Sequence, residues 1–146
     1  MSTATTATVQ VSRRIAAPPE RVYDAWLDPH HAGRWLFRTP DGTLARCEID
    51  ARVGGRFRID ERRGDEIAEH HGEYVALDRP RRLAFDFWTS FSDERTRITI
   101  AIEPHGNGAL LTLTHEGVWA DYEDRTRQGW TMILEGLERW IARHHD

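Results

Sequence analysis

Two different spacings of apolar residues divide the last third of the chain. Between residues 109 and 118, Leu111, Leu113 and His115 recur at every second position, which is the period of a β-strand. After residue 122 the apolar residues recur at steps of three and four, the period of an amphipathic helix: Trp130, Ile133, Leu134, Leu137, Trp140 and Ile141. The sequence therefore predicts a strand followed by one long C-terminal helix, and such a helix needs a sheet to pack against.

Upstream of this region, turn residues separate segments of strand or helix length. Alternation over 8–15 predicts a first strand, and Pro18 and Pro19 open a short helix that ends at Asp28. A second short helix is expected over 30–36. Five further strands are expected at 43–49, 56–62, 67–77, 82–89 and 97–103, with a polar turn near Ser92. The short connections imply antiparallel pairing, because parallel neighbours need long crossovers.

The order of these elements predicts an α+β fold. We expect a helix-grip arrangement: a curved seven-stranded antiparallel sheet wrapped around the long C-terminal helix, with two short helices after the first strand. Residues 8–146 are expected to form a single domain. Residues 1–7, which are small and polar, are expected to be a disordered tail.

Composition narrows the classes of function. The chain has 146 residues and a formal net charge of −4, which gives no reason to expect binding to nucleic acid. All 20 basic residues are arginine, so a lysine Schiff base is excluded, and the single cysteine, Cys47, excludes an internal disulfide. The first residues do not resemble a secretion signal, and no apolar stretch is long enough to span a membrane. We therefore expect a cytoplasmic protein.

The residues that strand periodicity places on the inner face of the sheet mix large aromatic side chains with small ones such as Ala45 and Cys47. That mixture favours a ligand cavity between the sheet and the C-terminal helix, although a solid core would show the same alternation. The candidate ligand-binding residues are Trp35, Cys47, Phe57, Ile59, Tyr74, Phe85, Phe87, Ile100, Leu113, His115, Trp130 and Ile133. We expect a small hydrophobic or amphipathic ligand whose polar end is oriented by Tyr74 and His115.

No catalytic or metal-binding motif stands out in the sequence. The adjacent histidines at 30–31, 70–71 and 144–145 diverge on a strand or a helix and do not chelate, so we expect them in solvated or edge positions, with no metal and no cofactor. His115 has two interpretations: a core histidine with satisfied nitrogens, or an acid or base that works with a carboxylate such as Glu61. A nucleophile pair of Cys47 with His115 lacks any local signature.

Two tryptophans and two glycines are not explained by these patterns. Trp88 lies at a strand end and Trp119 at the strand-to-helix corner, where they line either a pocket mouth or a partner surface. Gly129 and Gly136 share nearly one face of the predicted C-terminal helix, where each costs about 1 kcal/mol relative to alanine. Close approach of the helix to the sheet, room for a ligand, and simple tolerance each explain such glycines.

Several motifs, in order along the chain, resemble those of a known superfamily. They are Ala17–Trp26, Asp28-Pro29, Trp35, Arg52–Phe57, Gly72–Tyr74, Pro80, Arg82-Leu83, Phe85, Leu111–Gly117 and Gly129-Trp130. The chain resembles the SRPBCC superfamily, whose members share the START-like, birch-pollen-allergen-like helix-grip fold. Within it, the chain is similar to the bacterial branch related to the activator of the heat-shock chaperone's ATPase.

The resemblance implies a helix-grip fold and a binding cavity, and it implies no particular reaction, because a fold does not determine a function. Three functions stay open. The first is the binding of a small hydrophobic ligand. The second is a cyclase- or hydratase-type enzyme that uses His115. The third is a co-chaperone-like adaptor, or a homodimer, that meets its protein partner through exposed aromatic residues such as Trp88.

Overall fold

Seven strands form one antiparallel sheet in the computed structural model, which describes residues 5–90 and 92–144. The elements in chain order are β1 (Thr6–Ile15), α1 (Pro19–Leu27), α2 (Pro29–Trp35), β2 (Thr43–Ile49), β3 (Arg56–Arg63), β4 (Glu66–Asp78), β5 (Arg82–Thr89), β6 (Ser92–His105), β7 (Gly108–Trp119), a short 3-10 turn (Ala120–Tyr122) and α3 (Glu123–Arg143). The strand order across the sheet is β1-β7-β6-β5-β4-β3-β2. This arrangement confirms the predicted α+β helix-grip fold.

Helix α3 packs against the sheet at β1 and β7 and also contacts α2. Its buried stripe follows the predicted spacing and consists of Trp130, Leu134, Leu137 and Ile141. On one side, Arg13 of β1 donates hydrogen bonds from Nε and Nη2 to Glu138, at 2.9 and 2.7 Å. On the other side, Trp140 donates from Nε1 to Nδ1 of His31 at 2.9 Å. These polar contacts hold the helix between the first strand and α2.

Two strands extend beyond their predicted limits because a pairing partner is present. β1 starts at Thr6, so Thr6 and Ala7 pair with β7 although the sequence suggests a disordered tail there. β6 starts at Ser92, where the sequence suggests a turn, since Thr89 of β5 pairs with Ser92 and lengthens the hairpin. Residues 1–4 of the predicted tail and His145 of the third histidine pair lie outside the described residues.

A bulge in β2 moves one predicted cavity residue to the surface. The pairing of β2 with β3 shifts between Leu44 and Arg46. Ala45 is therefore exposed, which corrects the prediction that it faces inward, while Leu44 packs against the core together with Cys47. An extra residue in one strand reverses the alternation on which the prediction depends.

A buried carboxylate holds the connection between α2 and β2 against the sheet. Glu61 of β3 is fully buried, and it accepts hydrogen bonds from the amide of Thr39 at 2.7 Å, from its hydroxyl at 3.1 Å, and from Nε of Arg63 at 2.6 Å. Nε of Arg38 lies 3.6 Å from the same carboxylate. Because a buried charge is costly without such partners, this network determines where residues 36–42 lie over the sheet.

Replacement of Gly42 tests the Glu61 network. Gly42 is buried, and a Cβ at this position would overlap the Glu61 carboxylate. We expect Gly42→Ala to lower the free energy of unfolding by about 1 to 3 kcal/mol, because the carboxylate must move away from its donors. Urea unfolding measures the change.

The matched control is Gly129→Ala. A Cβ on Gly129 meets nothing within 4 Å. The free energy of unfolding of this variant should therefore rise by up to about 1 kcal/mol, because alanine has the better helix propensity. Similar effects of the two substitutions would contradict the role assigned to Glu61.

Candidate binding cleft

A cleft of about 610 Å³ opens where the ends of β5, β6 and β7 meet the start of α3. Its apolar lining comes from Phe87, Trp88, Val118, Trp119 and Tyr122. Its polar lining includes Glu94, Thr96, His115 and Arg125. A volume of this size and a mostly aromatic wall with a few polar groups are typical of small-molecule sites.

Strand pairing brings the central residues of the cleft together. Phe87 of β5 pairs with Thr96 of β6, and His115 of β7 pairs with Ile98, two residues further along β6 on the same face. Gly117 keeps the space in front of Thr96 open, since a Cβ there would lie 3.6 Å from Cγ2 of Thr96. Its φ of +83° is a conformation that glycine adopts without strain.

His115 is the centre of a hydrogen-bond chain that ends in the cleft. Nε1 of Trp130 donates to Nδ1 of His115 at 3.0 Å, and Nε2 of His115 lies 2.7 Å from the hydroxyl oxygen of Thr96. An indole nitrogen is only a donor, so Nδ1 must be the acceptor and Nε2 must carry the proton in the neutral ring. His115 therefore donates to Thr96, and the hydroxyl proton of Thr96 is left for a further acceptor.

Burial keeps the imidazole of His115 neutral. The side chain is 7% exposed, and loss of hydration lowers its pKa to about 4. Near pH 7 both ring nitrogens are engaged in hydrogen bonds within the protein, so neither is open to accept a proton from a ligand. His115 thus fits the first of its two interpretations, a histidine with satisfied nitrogens, while it also lines the cleft.

Phe37 fills the space behind the cleft, and sequence analysis does not detect it. The residue lies in the connection between α2 and β2 and is only 5% exposed. Its ring stacks on His70 at 4.5 Å and on Phe87 at 5.1 Å between centroids, and it lies 5.7 Å from Trp130. Its φ of +58° is strained for a bulky residue, at about 1 to 3 kcal/mol. No periodicity marks a loop residue of this kind.

His70 is a second buried histidine, which corrects the expectation that the paired histidines are solvated or lie at an edge. It belongs to β4, inside the sheet, and is 4% exposed. Its Nδ1 lies 3.1 Å from the carbonyl oxygen of Ile59 and donates to it. Burial lowers the pKa of His70 to about 4. Alternation along a strand buries one member of an adjacent pair, and in this pair it buries His70.

Of the twelve predicted ligand-binding residues, Phe87 and His115 line the cleft. Eight others are buried in the core: Trp35, Phe57, Ile59, Tyr74, Phe85, Ile100, Leu113 and Trp130. Cys47 and Ile133 are half-buried and pack against that core. Trp130 acts on the cleft through its hydrogen bond to His115. The cleft also uses Thr96, Tyr122 and Arg125, and Thr96 is missed because the sequence places a turn close to it.

The other polar groups considered for catalysis lie elsewhere. Glu61 is bound to Thr39 and Arg63 under the α2–β2 connection and does not line the cleft. Cys47 faces α2, with Sγ 3.5 Å from the carbonyl oxygen of Pro29, and burial raises the pKa of its thiol. Neither group is placed to react with a molecule next to His115.

Trp88 lies at the edge of the cleft between cationic and aromatic neighbours. The guanidinium of Arg95 lies 4.1 Å from its ring centroid and that of Arg56 lies 5.7 Å away. The ring of His71 stacks on it at 5.8 Å. These contacts cover much of the indole, which leaves it half-buried. Trp119 also lines the cleft, as expected for a residue at the strand-to-helix corner.

Residues 5–90 and 92–144 hold neither a cluster of metal ligands nor a membrane-spanning helix. No group of three or more histidine, cysteine, aspartate or glutamate side chains there could hold a metal ion. No helix in those ranges is long and apolar enough to cross a membrane.

Comparison with known protein families identifies the family of this chain. A family model described as "Activator of Hsp90 ATPase homolog 1-like protein" matches residues 16–142. The chain belongs to this family. Membership in the Activator of Hsp90 ATPase homolog 1-like family confirms the resemblance drawn from the motifs. It does not assign a ligand or a partner, because one fold supports many sites.

Solved structures with the fold of this family come from several bacteria. A protein from Chromobacterium violaceum is 28% identical, with a TM-score of 0.82, over 90% of this chain and 95% of that chain. A protein from Rhizobium leguminosarum is 24% identical, with a TM-score of 0.82 and coverage of 97% and 98%. An AHSA1-like protein from Aeromonas hydrophila is 22% identical, with a TM-score of 0.83 and coverage of 94% and 93%. No curated protein sequence matches significantly.

The two buried histidines predict how stability depends on pH. Both have a folded pKa of about 4, below the ordinary value of 6.5, so the unfolded chain binds protons first as the pH falls. Their contribution to the free energy of unfolding is complete above pH 6.5. It is lost as the pH falls toward 4, at about 1.4 kcal/mol per pH unit for each histidine. Urea unfolding at a series of pH values measures this slope.

The variant His115→Gln should flatten that slope. His105→Gln is the control, because His105 is exposed and should leave the slope unchanged. Parallel stability curves for the wild-type protein and His115→Gln would show that the imidazole of His115 is not held neutral by burial.

The backbone of Phe37 predicts an unusual order of stabilities. Phe37→Ala should lower the free energy of unfolding by about 3 to 5 kcal/mol, because it leaves a cavity among four rings. Phe37→Gly should be about 1 kcal/mol more stable than Phe37→Ala, since glycine adopts a positive φ without strain. At Phe87, which lies in a strand, the order should reverse, so that Phe87→Ala is more stable than Phe87→Gly. Urea unfolding of the four variants measures these stabilities. The same order of stability at both positions would be inconsistent with a strained backbone at Phe37.

Proposed function

We propose that the protein binds a small amphipathic molecule in this cleft, with a flat apolar body and a hydrogen-bond acceptor at one end, and that it does so in the cytoplasm. The hydrogen-bond chain from Trp130 through His115 to Thr96 carries the proposal, because it ends in a donor that points to the cleft. Thr96 already accepts from His115, so its own proton is free for a ligand.

The apolar walls suit a flat molecule. Phe87, Trp119 and Tyr122 line the cleft, and Tyr122 is 50% exposed although large apolar side chains are usually covered. Aromatic rings bury a large apolar area and lose little conformational entropy when a ligand packs on them. The volume of about 610 Å³ matches a molecule of drug-like size rather than a long lipid chain.

The ligand end that meets Thr96 is an acceptor such as a carbonyl or ether oxygen. The donor is reinforced from behind, because Trp130 polarises His115 and His115 polarises the hydroxyl of Thr96. A donor that a bound ligand covers without pairing is costly, which favours a ligand that supplies the acceptor. A purely apolar molecule would pack on the aromatic walls but would leave the hydroxyl proton of Thr96 unpaired.

Binding without chemistry fits the site better than catalysis. A cyclase- or hydratase-type mechanism needs a group that exchanges protons near neutral pH. His115 is held neutral and hydrogen-bonded at both nitrogens, and Glu61 is occupied by Thr39 and Arg63. The adaptor alternative depends on exposed aromatic residues such as Trp88, and that ring is half-covered by Arg95 and His71.

Substitution of Thr96 tests the proposal with the probe prodan, a neutral naphthalene that carries a ketone and fluoresces more strongly in apolar sites. The wild-type protein should bind prodan, and Thr96→Val should weaken binding roughly three- to tenfold through loss of one hydrogen bond. Fluorescence titration gives both dissociation constants.

Thr99→Val is the matched control, since Thr99 lies three residues further along β6 and therefore on the opposite face of the sheet. It should bind prodan like the wild-type protein. Absence of prodan binding to the wild-type protein, or equal affinities for the two variants, would refute the role given to Thr96.

A further inference from the structure

A second groove lies at the other half of α3. It has a volume of about 480 Å³ and runs between α2, the α2–β2 connection and the C-terminal half of α3. It shares no lining residue with the cleft at His115. Arg125 lines the cleft and Arg139 lines the groove, and 14 helical residues separate them by about 21 Å along the axis.

The groove concentrates positive charge in a protein with a net charge of −4. Arg34, Arg38, Arg139 and Arg143 line it, against a single acid, Glu135. Oε2 of Glu135 lies 4.0 Å from Arg13 on the neighbouring strand, so part of its charge is already balanced.

Three of the four arginines have no anionic partner in the described part of the chain. Arg38 is held in place by Glu61 and by the carbonyl oxygens of Gly33 and Gly42. The guanidinium groups of Arg34, Arg139 and Arg143 make no ion pair or hydrogen bond with any residue in 5–90 or 92–144. Arg143 and Arg34 lie in the last turns of α3 and α2, where each complements the negative end of its helix dipole, which does not account for Arg139.

The floor of the groove is apolar and rigid. Trp140 is fixed by its hydrogen bond to His31 and by the ring of His144, whose centroid lies 3.5 Å away. Met132 is 50% exposed at the rim. An apolar floor under a rim of cations matches a molecule that carries an apolar group and an anion.

Gly136 deepens this floor at a cost to the helix. Glycine in a helix interior loses about 1 kcal/mol relative to alanine. Packing does not require it here, since a Cβ would lie at ordinary contact distances, 3.8 Å from Cβ of Trp35 and 3.9 Å from Nη2 of Arg139. Of the three explanations for this glycine, close approach to the sheet fails, and room for a ligand and simple tolerance remain.

We propose that this groove is a second binding site, for a small organic phosphate whose apolar group lies on the Trp140 floor. The guanidinium group presents a planar fork of donors that matches phosphate oxygens in pairs, and two or more arginines can share one dianion. The apolar group would cover Met132 and the bare surface of Gly136. The proposal is independent of the ligand in the cleft at His115.

Isothermal titration calorimetry with 1-naphthyl phosphate tests the site, with 1-naphthol and inorganic phosphate as the probes for each half of the molecule. The wild-type protein should bind 1-naphthyl phosphate roughly tenfold or more tightly than it binds 1-naphthol or inorganic phosphate. High salt should weaken the binding of 1-naphthyl phosphate. Prodan should not compete with 1-naphthyl phosphate, because the two sites are separate.

Two variant pairs locate the binding. Arg139→Gln with Arg143→Gln should weaken the binding of 1-naphthyl phosphate roughly tenfold or more, whereas Arg81→Gln with Arg82→Gln, at two exposed residues where β5 begins, should not. Gly136→Leu should fill the floor and weaken binding while the helix gains stability, and Gly129→Leu on the same helix should leave binding unchanged.

The gain in helix stability separates a blocked groove from a misfolded protein. Equal affinity for 1-naphthyl phosphate and 1-naphthol, or equal affinity of the groove variants and their controls, overturns the proposal. Binding of an oligoglutamate peptide without binding of 1-naphthyl phosphate also overturns it, in favour of an acidic protein partner.

Discussion

Coverage of the inner face of the sheet is the constraint on which the rest of the structure depends. Seven strands at a spacing of about 4.8 Å make a sheet about 29 Å wide, whereas a helix is only about 10 Å across. Helix α3 covers β1 and β7, and α1 and α2 with their connections must cover the remainder. Phe37 fills the region between them, and the cleft at His115 opens on the inner face beside the start of α3.

Buried polar groups hold these covering elements in place. Glu61 anchors the α2–β2 connection through Thr39, and that anchor sets Phe37 in its strained conformation above His70. His115 joins Trp130 of α3 to Thr96 of β6. Glu61 and His115 are each fully partnered, so each fixes one geometry rather than several, which is the condition for a preformed site.

Helix α3 thus serves two surfaces with different chemistry. Near its start it borders the aromatic cleft, where a neutral histidine presents a hydroxyl proton. In its second half it borders the groove with Arg139 and Gly136, where charge dominates. Within the Activator of Hsp90 ATPase homolog 1-like family, the shared helix-grip fold gives the helix and the sheet, and side chains at their two ends are free to specify different ligands.

The elements follow from the sequence because each depends on local spacing: the limits of β2 and β5 match the prediction, and α3 shows the expected stripe of Trp130 and Leu134. The cleft does not follow, because it arises where Phe87, Thr96 and His115 meet across three strands, and that meeting depends on strand register rather than on local spacing. The bulge at Ala45 and the loop residue Phe37 carry no periodic signal. The sequence by itself determined which faces are apolar. Only the tertiary structure decided where the cleft opens on the inner face, since that depends on how far each covering element reaches.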